Sequence, residues 1–378
     1  MQQTGYLLLA DISGYTEFVT QTEIDHGSEI MHSLIRVVSD ETRAPFKVHE
    51  IEGDAIFASA PTAGFDRGVL LVEMIEGMYG AFQTALHGIR QNSTCSCRAC
   101  TRAGDLDLKF IVHHGAFTPR SIAGHQGISG ADVILSHRLL KNHIEEQTDC
   151  AAYAFFTDAA VKALGIETVA QGMVRHQEVY EHLGTVQGYV YDMARYWYEV
   201  QASRSVVVSP KGAFASFSVS VPVSRALAWE YGTNPRFRQQ WLLADELKVS
   251  GQSMGRYGAG TEEHCLHGKE VFVLKTLDWK PMRYFTQAIM LPFGGQIAFT
   301  TAFEDGAQGT LVSQAYARPE HAKPLMRTLL RFLMLFMGPV LKRGLGKSMD
   351  AYCAMMRQAA VRQAQEQSVQ PQEGRREG

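Results

Sequence analysis

The chain has little net charge, few cysteines and no long apolar run. Its 378 residues carry a formal net charge of −3, and no stretch interleaves basic with aromatic residues. Nucleic acid is therefore not expected as a partner. Charged residues make up 20% of the chain and hydrophobic residues 46%, which is ordinary globular composition. The length exceeds one usual domain by a factor of about two, so we expect two domains.

The sequence predicts neither a targeting segment nor a membrane-spanning segment. Residues 6–10 form an apolar run of strand length with no basic region before it, and Asp11 interrupts the run, so a signal peptide is not expected. The longest apolar stretch, residues 329–341, contains Arg331 and Pro339 and falls short of the roughly 18 residues that a span needs. It predicts a buried helix. These absences favour a cytoplasmic protein.

Two aspartates stand at the ends of predicted strands. Asp11 closes an apolar run and is followed by Ser13 and Gly14, which predicts a strand-to-helix turn, whereas Asp54 follows Glu52 and Gly53 in the turn of a predicted hairpin. Carboxylates at adjacent strand ends hold hard divalent cations, which in turn bind phosphates. The alternative interpretation makes both aspartates ordinary turn residues.

This pattern resembles the catalytic domain of the class III adenylate/guanylate cyclases. The family's first strand ends in Asp-(Ile/Met/Val)-x-Gly-(Phe/Tyr)-Thr, matched by residues 11–16, and its hairpin carries the Gly-Asp found at residues 53–54. Residues 108–115 resemble the strand that reads Ile-His-x-Gly, and residues 130–139 resemble the late helix. The resemblance covers about residues 5–195. It implies a ferredoxin-like βαββαβ fold, Mg²⁺ or Mn²⁺ on the two aspartates, a nucleoside triphosphate ligand and a homodimer.

Other positions depart from the family. The Asn of the late helix is Ile134 here, although the Arg four residues later, on the same helix face, is kept as Arg138. The Lys that recognises the purine falls on Glu50, and its partner falls near Gly127. Losing one preorganised transition-state donor costs about 3–4 kcal/mol. We therefore expect a degenerate domain that keeps metal and nucleotide-phosphate binding. The alternative is an active, divergent cyclase in which Arg138 stabilises the transition state.

Three of the six cysteines crowd together as Cys95, Cys97 and Cys100. In a reducing compartment this spacing favours metal thiolate chemistry over disulfides. It supplies three of the four ligands of a structural Zn²⁺, and His87, Cys150 or a partner subunit can supply the fourth. A redox or free-thiol role and an unliganded loop are the alternatives.

The chain changes character after residue 195. A strand at residues 215–221, short helices from residue 222, a strand meander and a long helix at residues 319–362 are predicted in that order. This order resembles the helix-grip fold of the START-like or polyketide-cyclase (SRPBCC) superfamily. The predicted division of this α+β protein is a cyclase-like domain (1–195), a partly ordered connector (196–212), a START-like domain (213–362) and a disordered tail (363–378).

A helix-grip fold implies a cavity between sheet and helix for a lipid, a polyketide or another small hydrophobic ligand. The candidates for its lining are Trp229, Trp241, His264, Tyr284, Phe299 and Phe332. Plain core packing is the alternative for the apolar members of this set. His264 stands between Glu263 and Cys265. Three interpretations are open for it: a polar group that orients the ligand, one of a pair of metal ligands, or a residue at the end of a strand.

Together the two halves favour a signalling or sensing protein of bacterial type. A ligand bound to the second domain would change the geometry of a dimer formed by the first domain, and the connector would transmit this change. Such coupling requires that the ligand binds two conformational states of the protein with different affinities. An active adenylate or guanylate cyclase is one alternative function. A transporter or cyclising enzyme for a lipid or polyketide is the other.

Overall fold

The computed structural model describes residues 2–92, 97–122, 125–181, 183–202, 205–252, 256–291 and 294–369. The chain divides into two compact units, residues 1–204 and residues 205–378. Each unit combines helices with a mainly antiparallel sheet, so the predicted α+β class is confirmed.

An eight-stranded sheet carries the first unit. Its strands are β1 (Gln3–Ser13), β2 (Lys47–Glu52), β3 (Ala55–Pro61), β4 (Asp107–Ile122), β5 (His125–Ser129), β6 (Tyr153–Thr157), β7 (Val174–Tyr180) and β8 (Gly184–Asp192). The strand order is β2-β3-β1-β4-β6-β8-β7, and β5 pairs with β4. The central position of β1 explains its apolar run, because residues 6–10 are buried between β3 and β4 and on both faces of the sheet.

Nine helices flank this sheet in the described part of the first unit. They are α1 (Tyr15–Gln21), α2 (Ile24–Glu41), α3 (Val69–Asn92), α4 (Arg98–Arg102), α5 (Ala131–Arg138), α6 (Ile144–Thr148), α7 (Asp158–Leu164), α8 (Glu167–Ala170) and α9 (Met193–Ala202), with 3₁₀ turns at Thr62–Gly64 and Ala103–Asp105. From β1 to β4 the elements follow the predicted β-α-β-β-α-β order. Helix α5 packs its Val133 against Leu7, Leu9 and Phe57.

A seven-stranded antiparallel sheet carries the second unit. The elements are β9 (Ala215–Val221), α10 (Arg225–Thr233), α11 (Pro235–Trp241), β10 (Glu246–Ser250), β11 (Glu262–His267), β12 (Glu270–Lys280), β13 (Tyr284–Met290), β14 (Gln296–Gly306), β15 (Gly309–Tyr316) and α12 (Pro324–Val369). The meander runs from β10 to β15, and β9 returns to pair with β15. Asn234 caps α11 by accepting a hydrogen bond from Arg236 N, which explains the Asn-Pro start of that helix.

Helix also occupies segments between and after the two sheets. Helix α9 covers much of the predicted connector, and beyond it the backbone N–H groups of Val206 and Val208 donate to Asp278 and Thr300 of the second unit. Helix α12 continues through residues 363–369, which were assigned to the disordered tail. Residues 370–378 lie outside the described part of the chain.

The second half of α12 packs on its unit. Met349, Tyr352 and Met356 are buried there, and the Tyr352 hydroxyl donates to Ala228 O at 2.7 Å. The prediction of a buried helix at residues 329–341 is wrong, because Leu335 and Phe336 are 71% and 69% exposed. An apolar run looks the same in sequence whether its neighbours cover it or not. Within the described residues, one segment, Pro324–Arg362, is long and apolar enough to cross a membrane by length and composition.

The core of the second unit contains a buried ion pair. The Arg238 guanidinium donates to Glu263 Oε2 at 2.6 Å, to Gln287 Oε1 at 2.8 Å and to Gly232 O at 2.8 Å. The Tyr257 hydroxyl donates to the other Glu263 oxygen at 3.1 Å. Burial of both charges is tolerable only because the pair and its hydrogen-bond partners are present together.

We predict that Arg238→Met lowers the free energy of unfolding by about 3–5 kcal/mol, because it leaves the Glu263 carboxylate buried without its counter-charge. Adding Glu263→Gln should restore a large part of the loss. Arg236→Met, on the exposed side of the same helix, is the matched control and should change stability by less than about 0.5 kcal/mol. Denaturant unfolding followed by tryptophan fluorescence measures all three. Equal effects of Arg238→Met and Arg236→Met would contradict the assignment.

Candidate metal and nucleotide site

Strand pairing brings Asp11 and Asp54 to the same end of the sheet. Asp11 lies opposite Ala55 on β3 and opposite Lys109 on β4. The backbone N–H of Ile12 donates to Asp54 O at 3.2 Å, which fixes the hairpin turn against the end of β1. Gly53, at φ +61°, supplies the left-handed residue that this tight turn requires. The hairpin prediction is therefore confirmed, and its turn places the second carboxylate beside the first.

The electrostatics of the pair favour a cation. Burial, followed by the charge of Asp11, raises the pKa of the Asp54 carboxyl. Lys109 Nζ lies 3.0 Å from Asp11 Oδ2 and neutralises one of the two charges. Two carboxylates and one ammonium leave one net negative charge. Carboxylate oxygens are the ligands that Mg²⁺ and Mn²⁺ prefer, so the residues present fit the implied metal.

Lys109 was not among the site residues that the sequence predicted. No motif identifies it, since its role depends on the register between β1 and β4 rather than on local spacing. The ion pair is largely shielded from water, because the exposed fractions of the Lys109 and Asp11 side chains are 22% and 15%. Lys109 therefore occupies one oxygen of the Asp11 carboxylate, Oδ2.

Helix α5 presents the positions that orient the ribose in the resembled family. Ile134 is 58% exposed, and Arg138 is exposed one turn later. The helix is fixed to β4 by Asp132, whose Oδ2 accepts a hydrogen bond from Ala116 N at 2.6 Å and whose Oδ1 lies 3.4 Å from His113 Nε2. The helix is thus held in place, yet the first of the two positions carries a side chain with no hydrogen-bonding group.

The two positions aligned with base recognition lie next to each other. A Cβ atom on Gly127 of β5 would lie 3.5 Å from Glu50 Oε1 on β2 and 3.6 Å from Arg120 Nε on β4. The resemblance aligns Glu50 and Gly127 with the family's base-recognition pair, which is absent here, and the sequence did not show that the two positions meet. Their neighbourhood is formed by a carboxylate and a guanidinium in place of the ammonium that the family uses.

The cysteine cluster differs in part from the prediction. Cys97 and Cys100 come together, but the side chain beside them is His26 of α2. His87 is exposed on α3, and Cys150 is buried in the core of the first unit, so neither joins the described cluster. Cys95 lies outside the described residues.

The predicted cavity residues of the second unit occupy three kinds of environment. Trp229, Trp241 and Phe299 are buried in the core. Tyr284 is half-buried and donates through its hydroxyl to Asp278 at 2.9 Å. The other two predicted residues, His264 and Phe332, do not lie with these four.

Strand alternation and helix packing explain these two exceptions. His264 points to the opposite face of β11 from the buried Glu263 and Cys265, because successive side chains alternate across a strand. Phe332 lies on the first half of α12 and is 54% exposed. Neither residue lines the core between sheet and helix, and that part of the cavity prediction is wrong.

Comparison with known proteins finds a family model and a relative that each match part of the chain. A family described as Protein of unknown function (DUF2652) matches residues 31–148. An uncharacterised protein of Mycobacterium tuberculosis (strain ATCC 25618 / H37Rv) is 29% identical over 164 residues, which are 43% of this chain and 74% of that protein.

Solved cyclase structures are also similar. The guanylyl cyclase Cya2 is 16% identical, with a TM-score of 0.39 over 50% of this chain and 92% of that one. A bacterial light-regulated adenylyl cyclase is 12% identical, with a TM-score of 0.39 over 51% of this chain and 92% of that one. At these scores, the chemistry of the site has to be judged from the residues of this chain.

We predict that Asp54→Asn raises the melting temperature of the metal-free protein by about 1–3 °C at neutral pH. The reason is that burial and the Asp11 charge raise the folded-state pKa of Asp54, so its ionised form costs stability. The wild-type protein should regain this stability as the pH falls and the carboxyl takes up a proton, whereas the variant should not. Thermal unfolding in EDTA across the acid range measures both effects.

Glu52→Gln is the matched control for this prediction, because Glu52 is exposed in the same hairpin. It should leave the melting temperature unchanged. A lower melting temperature of metal-free Asp54→Asn than of wild type would show that the Asp54 carboxylate is stabilised by its surroundings.

Proposed function

We propose that the first unit binds a divalent cation together with the phosphates of a nucleoside triphosphate, and that it does so as a sensing module with a degenerate cyclase-like site. One observation carries the proposal: Asp11 and Asp54 meet at the end of β1, with one net negative charge after pairing with Lys109. Mg²⁺ or Mn²⁺ would be held by these two carboxylates and would supply the positive charge that triphosphate binding requires.

The residues of α5 would affect cyclisation of a nucleotide but not its binding. Cyclisation requires donors that stabilise charge as it develops on the phosphorus, and one missing donor costs about 3–4 kcal/mol. Ile134 offers no donor, and Arg138 stands one helical turn away on the exposed face. Binding through cation and phosphates needs neither residue. The protein is thus proposed to bind nucleotide with little or no turnover, and to do so as a homodimer, as the resemblance implies.

The base preference follows from the chemistry of Glu50. A carboxylate accepts hydrogen bonds and donates none. The pairing edge of guanine presents two adjacent N–H groups, whereas that of adenine presents one amino group beside an acceptor nitrogen. Glu50, next to Gly127, therefore favours GTP over ATP.

We predict Mn²⁺-dependent binding of a fluorescent GTP analogue to the full-length protein. Asp11→Asn and Asp54→Asn should each weaken it by at least about tenfold, the equivalent of about 1.4 kcal/mol, because each removes a metal-ligating charge. The ATP analogue should bind more weakly than the GTP analogue, and Glu50→Gln should narrow that difference. Fluorescence anisotropy with and without Mn²⁺ measures these constants.

Glu52→Gln serves again as the control and should bind like wild type. Nucleotide binding that persists without Mn²⁺, or that is unchanged in both aspartate variants, would place the nucleotide elsewhere and contradict the proposal.

The exposed half of α12 favours a second function, contact with an anionic lipid surface. Its apolar side chains are 43–80% exposed: Leu325, Leu329, Phe332, Leu333, Leu335, Phe336, Met337 and Val340. Residues 321–349 contain no acidic side chain and include Lys323, Arg327, Arg331, Lys342, Arg343 and Lys347. A continuous apolar surface flanked by basic residues is the pattern of helices that lie in a membrane interface.

We predict that the full-length protein binds vesicles containing phosphatidylserine, and that binding weakens with added salt. Leu335→Glu with Phe336→Glu should weaken it by at least about tenfold, since each buried CH₂ contributes about 0.8 kcal/mol. Val361→Glu, an exposed apolar position farther along α12, is the matched control. Vesicle flotation measures binding. No binding, or concentration-dependent dimerisation abolished by the double variant, would contradict the lipid assignment.

A further inference from the structure

Three side chains that ligate soft metals converge between α2 and α4, outside the carboxylate site. His26 lies on α2, Cys97 caps the start of α4, and Cys100 lies one turn into α4. One ligand atom from each residue lies within 4.8 Å of the others. Both cysteines are thiols and are not joined in a disulfide.

The distances agree with those around a tetrahedral zinc ion. Zn–S bonds of about 2.3 Å and Zn–N bonds of about 2.0–2.1 Å separate a ligating sulfur and nitrogen by about 3.6 Å. His26 Nδ1 lies 3.3 Å from Cys97 Sγ and 3.9 Å from Cys100 Sγ, on either side of that value. Cys97 Sγ also accepts a hydrogen bond from the backbone N of Cys100 at 3.4 Å, which orients the sulfur.

We infer that His26, Cys97 and Cys100 bind a structural Zn²⁺ that fastens α4 to α2. Two thiolates and an imidazole are a donor set that suits zinc and is unsuited to Mg²⁺ or Ca²⁺, which prefer oxygen. Within the described residues the cluster supplies three ligands, and a water molecule or a further donor would supply the fourth. The site is therefore chemically distinct from the one formed by Asp11 and Asp54.

Other contacts already hold α4 in the position that the zinc requires. Glu23 Oε2, just before α2, accepts a hydrogen bond from Ala99 N at 3.1 Å. Arg102 donates to Glu17 at 2.6 Å and to Asp105 at 3.1 Å. These exposed contacts are individually weak, so a metal bridge would be the strongest connection of this segment to the helices.

The zinc site would also stabilise the turn that follows the first carboxylate. A Cβ on Gly14 would lie 3.2 Å from Asp105 O, so the loop after α4 packs closely over that turn. Gly14 has φ +83° and starts α1 directly after β1, which ends with Asp11 among its last residues. Zinc occupancy would thus limit motion of the turn without touching the carboxylates.

The test uses full-length protein purified under reducing conditions and analysed for metal by mass spectrometry. We expect about one zinc per chain in the wild type, falling to less than roughly a fifth in His26→Ala, Cys97→Ser and Cys100→Ser. His26 is exposed, so its loss should not prevent folding. His87→Ala is the matched histidine control, and Asp54→Asn should keep the zinc because it alters the other site.

Cobalt substitution gives an independent readout of the same ligands. The Co²⁺-loaded wild type should show thiolate-to-metal charge-transfer absorption that both serine variants reduce. Zinc removal should lower the melting temperature of the wild type but not that of His26→Ala. A wild-type protein that binds no zinc on reconstitution would overturn the inference. So would a His26→Ala variant that keeps both full zinc content and the wild-type cobalt spectrum.

Discussion

The first unit depends on holding two like charges at one end of β1. Pairing of β1 with β3 fixes the hairpin turn against Ile12, and the Asp54 carboxyl then shares a partly buried space with Asp11. This arrangement is unfavourable without a counter-charge, as the raised pKa of Asp54 indicates. Lys109 offsets part of the repulsion. A fold that keeps such a pair in place is prepared for a cation.

The residues around Asp11 and Asp54 provide little stabilisation for a cyclisation transition state. Ile134 provides no donor toward a substrate, although Asp132 holds α5 firmly on β4. Glu50 and Gly127, the positions that the resemblance aligns with base recognition, lie side by side and present a carboxylate. Cation and phosphate binding therefore stay chemically supported while transition-state stabilisation does not, which is the basis of the sensing role proposed for this unit.

The second unit buries an ion pair in its core and exposes apolar side chains on its last helix. Arg238 and Glu263 form an ion pair inside the core, where each requires the other. The first half of α12 leaves apolar side chains in solvent, where a partner surface would normally cover them. These exposed apolar side chains are consistent with contact with a hydrophobic ligand or a lipid surface. The buried ion pair is tolerated in the core because each charge compensates the other.

Sequence patterns predicted the features that depend on local spacing. The turn at Gly53 and Asp54 follows from short-range chemistry, and the structure contains it. The element order of the second unit was predicted from strand and helix periodicity for the same reason.

Features that depend on distant pairing were missed. Lys109 faces Asp11 only through the register of two strands, and His26 reaches Cys97 across 71 residues of chain. The exposure of Phe332 could not be predicted either, because an apolar helix stripe predicts a buried face but cannot show where its packing partner ends.

The central claim is that the carboxylate pair binds metal and nucleotide without efficient cyclisation. The most direct test incubates full-length protein with GTP or ATP and Mn²⁺ and quantifies cyclic nucleotide by mass spectrometry, with Asp54→Asn in parallel. We expect no product above the level of the variant while metal-dependent nucleotide binding remains measurable. Cyclic nucleotide that forms with the wild type and disappears with Asp54→Asn would establish an active cyclase and contradict the account.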